Sequence, residues 1–217
     1  MRESTDKPRI EPLRNGPLKV TGLRRLVGPE GNEFTCKDQV LLCRCGHSAN
    51  KPFCDGSHAR TGFQDGKIGG RMPDRVRSYE GKSITVHDNR GVCSHSENCI
   101  RELPRVFDRN RHPWIDPDAA SPDEVTRTVE HCPSGALSYT RDGVLHKDLP
   151  RNPAIEVQRG GPYNVVGSPD FVDPNGCAPE SKEHCTLCRC GASRNKPFCD
   201  GSHWHIEFDT TESASEH

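Results

Sequence analysis

The chain has 217 residues, of which 31% are hydrophobic, and it carries a formal net charge of −1. So low an apolar content argues against one large hydrophobic core, and the near-zero charge gives no reason to expect nucleic acid or an anionic membrane as a partner. The 12 Cys and 11 His instead indicate small domains that are stabilised by bound metal.

The N-terminal sequence does not resemble a signal peptide, and no apolar stretch is long enough to span a bilayer. We therefore expect a cytoplasmic protein, in which Cys spacing indicates metal or redox chemistry before it indicates disulfides. Residues 1–12 and 210–217 are polar and are predicted to be disordered.

An internal repeat sets the predicted domain organisation. Residues 15–63 align with residues 160–208 without a gap, and Asn50 through His58 is identical to Asn195 through His203. We expect two copies of one module, at 13–66 and 151–209, on either side of a different domain at 67–150.

Each module carries four metal-ligating side chains in the pattern C-x-C, eight residues, then C-x3-H. Such a set suits zinc or an iron-sulfur cluster, although C-x-C is tighter than the usual zinc spacing. Turn-forming residues between the ligands predict a loop, in which Asp55 would cap a short helix that has His58 at its third position. The candidate ligands are Cys43, Cys45, Cys54 and His58 in the first module, and Cys188, Cys190, Cys199 and His203 in the second.

These residues resemble the CDGSH iron-sulfur proteins, the mitoNEET-like family, whose signature is Cys-x-Cys-x2-Ser-x3-Pro-x-Cys-Asp-Gly-Ser-His. Both copies match the signature at every defined position. The resemblance implies a small β-rich module with one [2Fe-2S] cluster, held by Cys43 and Cys45 on an inner iron and by Cys54 and His58 on a more exposed one. The second module would use its four ligands in the same way. Because such modules pair across a dimer, we expect the two copies to pair within this chain.

The central segment predicts a strand over residues 81–88, a helix from Ser121 to about His131 and a second strand over residues 136–140. Ser121 begins a capping box that Glu124 closes, with Pro122 at the first helical position. A turn at residues 141–143 ends the pattern.

Three cysteines of the central segment match a cluster-binding run in which Ser96 replaces the second Cys. Three thiolates can hold a [3Fe-4S] cluster, or a [4Fe-4S] cluster if His95, Ser96 or solvent supplies the fourth ligand; the alternative is inert buried thiols. The sequence around them resembles the small mono-cluster ferredoxins, which implies a divergent ferredoxin-like domain. The three residues are Cys93, Cys99 and Cys132.

The predicted fold class is therefore α+β, with two β-rich CDGSH modules flanking a small ferredoxin-like α+β domain. We find no catalytic constellation and expect an electron-transfer protein rather than an enzyme, with a redox protein as its partner. A pH- or redox-sensitive cluster donor or sensor is the alternative, and a zinc-stabilised interaction module is a third hypothesis. Because acid competes for the single imidazole ligand, cluster potential and retention should depend on pH.

Overall fold

The computed structural model describes residues 7–67, 69–70, 72–206 and 208. Within them the α+β class is confirmed, since short helices accompany strands in three sheets. The helices are α1 (Ser57–Arg60), α2 (Asn98–Glu102) and α3 (Pro122–Glu130). The strands are β1 (Arg9–Pro12), β2 (Leu18–Thr21), β3 (Leu26–Val27), β4 (Glu33–Phe34), β5 (Gln39–Leu42), β6 (Val76–Glu80), β7 (Thr85–Asn89), β8 (Leu137–Arg141), β9 (Val144–His146), β10 (Ala154–Val157), β11 (Tyr163–Val166), β12 (Asp170–Phe171) and β13 (Cys185–Leu187).

The two repeats exchange strands. The sheet of the first repeat has the order β12-β1-β2-β5, so that a strand of the second repeat forms its edge. The sheet of the second repeat has the order β13-β11-β10-β3-β4 and takes two strands from the first. Both exchanges are parallel and occur at equivalent positions, with Ile10 opposite Phe171 and Ile155 opposite Leu26. Each repeat therefore completes the sheet of the other.

One hydrophobic core serves both repeats. Alternation along the strands turns one face inward, and Ile10, Val20, Ile155 and Val165 are fully buried in the same cluster. Burial of an aliphatic side chain contributes roughly 1.5–3 kcal/mol, which gives this cluster much of the apolar stabilisation available to a chain so poor in hydrophobic residues.

The N-terminal prediction was wrong in part. Residues 9–12 are not disordered but form β1, because Ile10 is buried and the strand pairs with β2 on one side and β12 on the other. Residues 1–6 and 210–217, which were also predicted to be disordered, lie outside the described residues.

The central segment forms its own antiparallel sheet in the order β6-β7-β8-β9, with α3 packed against it in a second hydrophobic cluster. The predicted start of α3 is confirmed: the Ser121 hydroxyl accepts from the Glu124 N–H, and the Glu124 carboxylate accepts from the Ser121 N–H at 3.0 Å. The first predicted strand begins later than expected, at Thr85, because the Gly81 N–H bonds to the Ile84 carbonyl and closes a turn.

Glu183 stabilises the segment of the second repeat that precedes β13. Its side chain is 2% exposed, and its carboxylate accepts from the Gly167 N–H at 2.9 Å and from the Arg151 guanidinium at 3.0 Å. Burial alone would raise the pKa of this carboxyl, but hydrogen bonds with His184, Arg151 and Gly167 lower it to about 2. The ionised group is therefore stabilised by the fold.

We expect Glu183→Gln to lower the free energy of unfolding by about 1–3 kcal/mol at pH 7, because a charged acceptor of several hydrogen bonds is lost. Since the folded pKa lies below the ordinary 4.5, the stabilisation is present above pH 4.5 and is lost as the pH falls toward about 2. The difference in free energy of unfolding between wild type and Glu183→Gln should therefore be smaller in acid. Urea unfolding followed by circular dichroism at pH 7 and pH 3.5 measures this difference.

Asp38→Asn is the matched control, because Asp38 occupies the equivalent position of the first repeat and is exposed. A loss as large in Asp38→Asn as in Glu183→Gln would contradict a specific role for the buried carboxylate.

Candidate metal centres

The first candidate ligand loop begins where β5 ends. The Cys43 N–H bonds to the Pro52 carbonyl and the Cys54 N–H to the Leu41 carbonyl, both at 2.8 Å, so the loop folds back onto its own start. These bonds bring the C-x-C pair and the C-x3-H pair together although eight residues separate them in sequence.

Asp55 stabilises the loop in a different way from that predicted. Its carboxylate accepts from the backbone N–H groups of Ala49 and Ser57, each at 2.9 Å, and despite the cost of desolvation these bonds lower its pKa. The N-cap of α1 is Gly56, in the left-handed region at φ 84°, so that His58 is the second residue of the helix and not the third. The prediction that Asp55 caps this helix was wrong. The helix begins one residue later than predicted, because its N-cap position has a positive φ, which glycine adopts readily.

The four side chains of each loop form two pairs. Cys43 Sγ lies 3.7 Å from Cys45 Sγ, and Cys54 Sγ lies 3.4 Å from His58 Nδ1. Two sulfurs at about 2.3 Å from one tetrahedral metal ion are about 3.8 Å apart, and a sulfur and a nitrogen are slightly closer. Each pair thus has the spacing of two ligands on one metal atom, and the set fits a group that contains two.

The second loop repeats this arrangement. Cys188 Sγ lies 3.9 Å from Cys190 Sγ, and Cys199 Sγ lies 3.4 Å from His203 Nδ1. Among the described residues, no three His, Cys, Asp or Glu side chains converge as they would around a single metal ion. The eight predicted ligands of the two modules therefore form four pairs, two in each loop.

The thiols of each C-x-C pair differ in acidity. A hydrogen bond with Cys45 lowers the pKa of Cys43 to about 6, and the same contact, together with burial, raises the pKa of Cys45. In the second loop the bond with Cys190 lowers the pKa of Cys188 to about 7. Metal binding requires both sulfurs of a pair as thiolates, so it must displace the proton that the two share.

Two arginines position the loops, and we did not assign them a role from the sequence. Arg44 is 2% exposed, and its guanidinium donates to the carbonyls of Gly16 and Leu13 and to the Asp65 carboxylate at 3.0 Å. Arg189 donates in the same way to the carbonyls of Gly161 and Gln158. The signal was present in the sequence, since both C-x-C pairs enclose Arg.

The two ligand loops are in direct contact. Cys45 and Cys190 form a β-bridge, and Tyr163 of the second repeat donates its hydroxyl to the Cys43 carbonyl at 2.8 Å and to the Pro52 carbonyl at 3.0 Å. A Cβ at Gly46 would lie 2.5 Å from the Cys190 carbonyl oxygen, so this contact requires glycine there.

The three central cysteines line one cavity, together with Ser96 and Trp114. Desolvation raises the pKa of Cys93 to about 11 and that of Cys99 to about 12, and the neighbouring thiols add to both shifts. Of the two side chains considered as a fourth ligand, Ser96 lines this cavity, whereas His95 lies against the second ligand loop.

Comparison with known proteins matches the three parts of the chain separately. The family described as iron-binding zinc finger CDGSH type matches residues 15–59 and residues 160–204, and the family described as divergent 4Fe-4S mono-cluster matches residues 79–142. The uncharacterized protein YjdI of Escherichia coli K12 is 43% identical over 63 residues, which are 29% of this chain and 83% of that protein. Its counterpart in Escherichia coli O157:H7 matches equally. No solved structure matches the chain.

We expect Arg44→Lys to lower the free energy of unfolding by about 2–3 kcal/mol, because a lysine ammonium cannot replace a guanidinium that bonds to three acceptors at once. The first loop should also retain less metal, since the carbonyls that hold it lose their donor. Thermal unfolding and metal analysis of the purified variant measure the two effects.

Arg14→Lys, at an exposed position of the same repeat, should change neither quantity. Wild-type stability in Arg44→Lys would show that the guanidinium does not position the loop.

Proposed function

Because the chain belongs to the CDGSH iron-binding family, with two CDGSH domains on either side of a divergent 4Fe-4S mono-cluster domain, we propose that it is a one-electron carrier. It would hold one [2Fe-2S] cluster in each ligand loop and a [3Fe-4S] or [4Fe-4S] cluster in the central cavity. The observation that supports this best is the pairing of the candidate ligands, each pair having the spacing of two ligands on one metal atom.

Clusters of these kinds accept and return single electrons, and the chain's contribution is to hold and shield them. The backbone bonds at both ends of each loop and the buried arginines hold the ligands in place. The single imidazole of each set, His58 or His203, contributes no negative charge, which favours a higher potential than four thiolates would give.

The positions of the three ligand sets also support electron transfer. The bridge between Cys45 and Cys190 places the two loops side by side. The central set adjoins the second loop, since the Asn195 amide donates at 3.1 Å to the carbonyl of Gly91, two residues before Cys93. Each set therefore has another as its neighbour, which transfer within one chain requires.

A carrier of this kind needs no substrate pocket, and we propose that the chain is not an enzyme and that its partner is another redox protein. We also propose that the internal pairing of the repeats replaces a dimer interface. All twelve cysteines are free thiols, which suits a reducing compartment such as the cytoplasm. Among the described residues, no helix has the length and apolar character that a transmembrane segment needs.

Anaerobic purification followed by iron, zinc and sulfide analysis tests the metal content. We expect about seven or eight iron atoms per chain, with matching sulfide, and about four in Cys132→Ser, which removes a central thiolate. Electron paramagnetic resonance before and after dithionite should show reversible reduction.

Cys185→Ala is the matched control, since Cys185 is a buried thiol of β13 outside the three sets and its loss should leave the iron content unchanged. Two or three zinc ions without sulfide would overturn the proposed function, and irreversible loss of iron on the first reduction would favour a cluster donor.

His58→Cys should lower the reduction potential of the first centre by on the order of 100 mV, because thiolate adds a negative charge where imidazole has none. It should also reduce the loss of iron at acid pH, where protons compete for the imidazole nitrogen. A redox titration at pH 6 and pH 8 measures the potential, and iron analysis after incubation and gel filtration at each pH measures the loss of metal. His47→Ala, an exposed histidine beside Cys45, should behave as wild type, and an unchanged potential in His58→Cys would argue against imidazole ligation.

A further inference from the structure

The two ligand loops are identical from Asn50 to His58 and from Asn195 to His203 but have different surroundings. Cys199 is 2% exposed and His203 is 4% exposed, whereas Cys54 and His58 are only half-buried. The difference cannot come from these identical stretches, which carry all four of the side chains compared. It must come from what packs on them.

The central domain packs on the second loop. The side-chain amide of Asn195 donates to the Gly91 carbonyl at 3.1 Å, and Trp204 Nε1 donates to the His95 carbonyl at 3.1 Å. The His95 ring lies directly on Gly201, where an added Cβ would be 2.6 Å from His95 Cδ2.

The first loop has no equivalent cover within the part of the chain that the structure describes. An added Cβ at Gly56, the counterpart of Gly201, meets no atom within 4 Å. Ala59 stands where the second repeat has Trp204, so the side chain that donates to the central domain is missing as well.

We propose that the central domain is a built-in cover for the second ligand loop, which leaves the first loop as the site where the chain's metal reacts with molecules in solution. The covering residue of the central domain is His95, and Trp204 of the second repeat holds it through the hydrogen bond to the His95 carbonyl. A chelator or a proton donor must reach the outer ligand pair to release iron, and the contacts of Gly201 and Asn195 with the central domain block that approach. The two sites are therefore chemically alike but unequal in reactivity.

This inference rests on iron binding by both loops but not on electron transfer, and its test reports on individual thiols. Iron-loaded protein is reduced with dithionite and mixed with the ferrous chelator ferrozine, and samples are alkylated with iodoacetamide at intervals and digested. Ala59 and Trp204 distinguish the two peptides that carry Cys54 and Cys199. We expect Cys54 to be labelled about tenfold or more faster than Cys199.

Two variants remove the cover. His95→Gly deletes the ring that lies on Gly201 and suits the positive φ of 57° at this position, and Trp204→Phe keeps a ring but loses the donor. Both should accelerate labelling of Cys199 and leave that of Cys54 unchanged. Asp142→Gly is the control, because it makes the same kind of change at φ 51° in the turn before β9, away from the loop.

Equal labelling rates for Cys54 and Cys199 in the unaltered protein would overturn the inference. So would labelling of Cys199 at the wild-type rate in both His95→Gly and Trp204→Phe. Reversible redox cycling with equal labelling would contradict the cover alone and leave the carrier intact. Faster labelling of Cys54 in a protein that does not cycle would contradict the carrier alone.

Discussion

The parallel pairing of β1 with β12 and of β10 with β3 is the interaction on which the rest of the structure depends. Each repeat, aligned over residues 15–63 or 160–208, is so short that a core of its own would give only marginal stability. Exchange of edge strands merges the two faces into one core and leaves the edges of β1 and β10 paired. The same exchange sets the two ligand loops against each other at the bridge between Cys45 and Cys190.

The ligand loops inherit their geometry from this frame. Each loop follows the last strand of its repeat, β5 or β13, and pairs with that strand again through backbone hydrogen bonds. The sheet therefore determines where the sulfurs lie. The buried guanidiniums of Arg44 and Arg189 tie each C-x-C pair to the turn between the first two strands of its own repeat. Neutral acceptors and one carboxylate satisfy these charges, which is the condition for burying an arginine at all.

The sequence predicted which side chains lie together at the candidate sites, because residue identity and spacing are local properties. The C-x-C and C-x3-H pairs, the three central thiols and the capping box at Ser121 could be read directly, and the pairs and the cap meet in space as expected. The strand exchange could not be predicted, since pairing over more than one hundred residues depends on tertiary packing that no local pattern encodes. Residues 9–12 were misjudged for the same reason: a strand so short is stable only because it has a partner on each side.

Because the two repeats are part of one chain, their contact surfaces can differ in sequence. In a homodimer every substitution occurs twice, so that a residue such as Tyr163, which reaches across to the opposite ligand loop, would have an identical twin. Here its counterpart is Leu18, and only one of the two loops receives the phenol. Linkage also makes the association of the halves intramolecular, with an effective concentration that dilution cannot lower. The chain can therefore keep a two-fold frame at any abundance in the cell while its halves specialise.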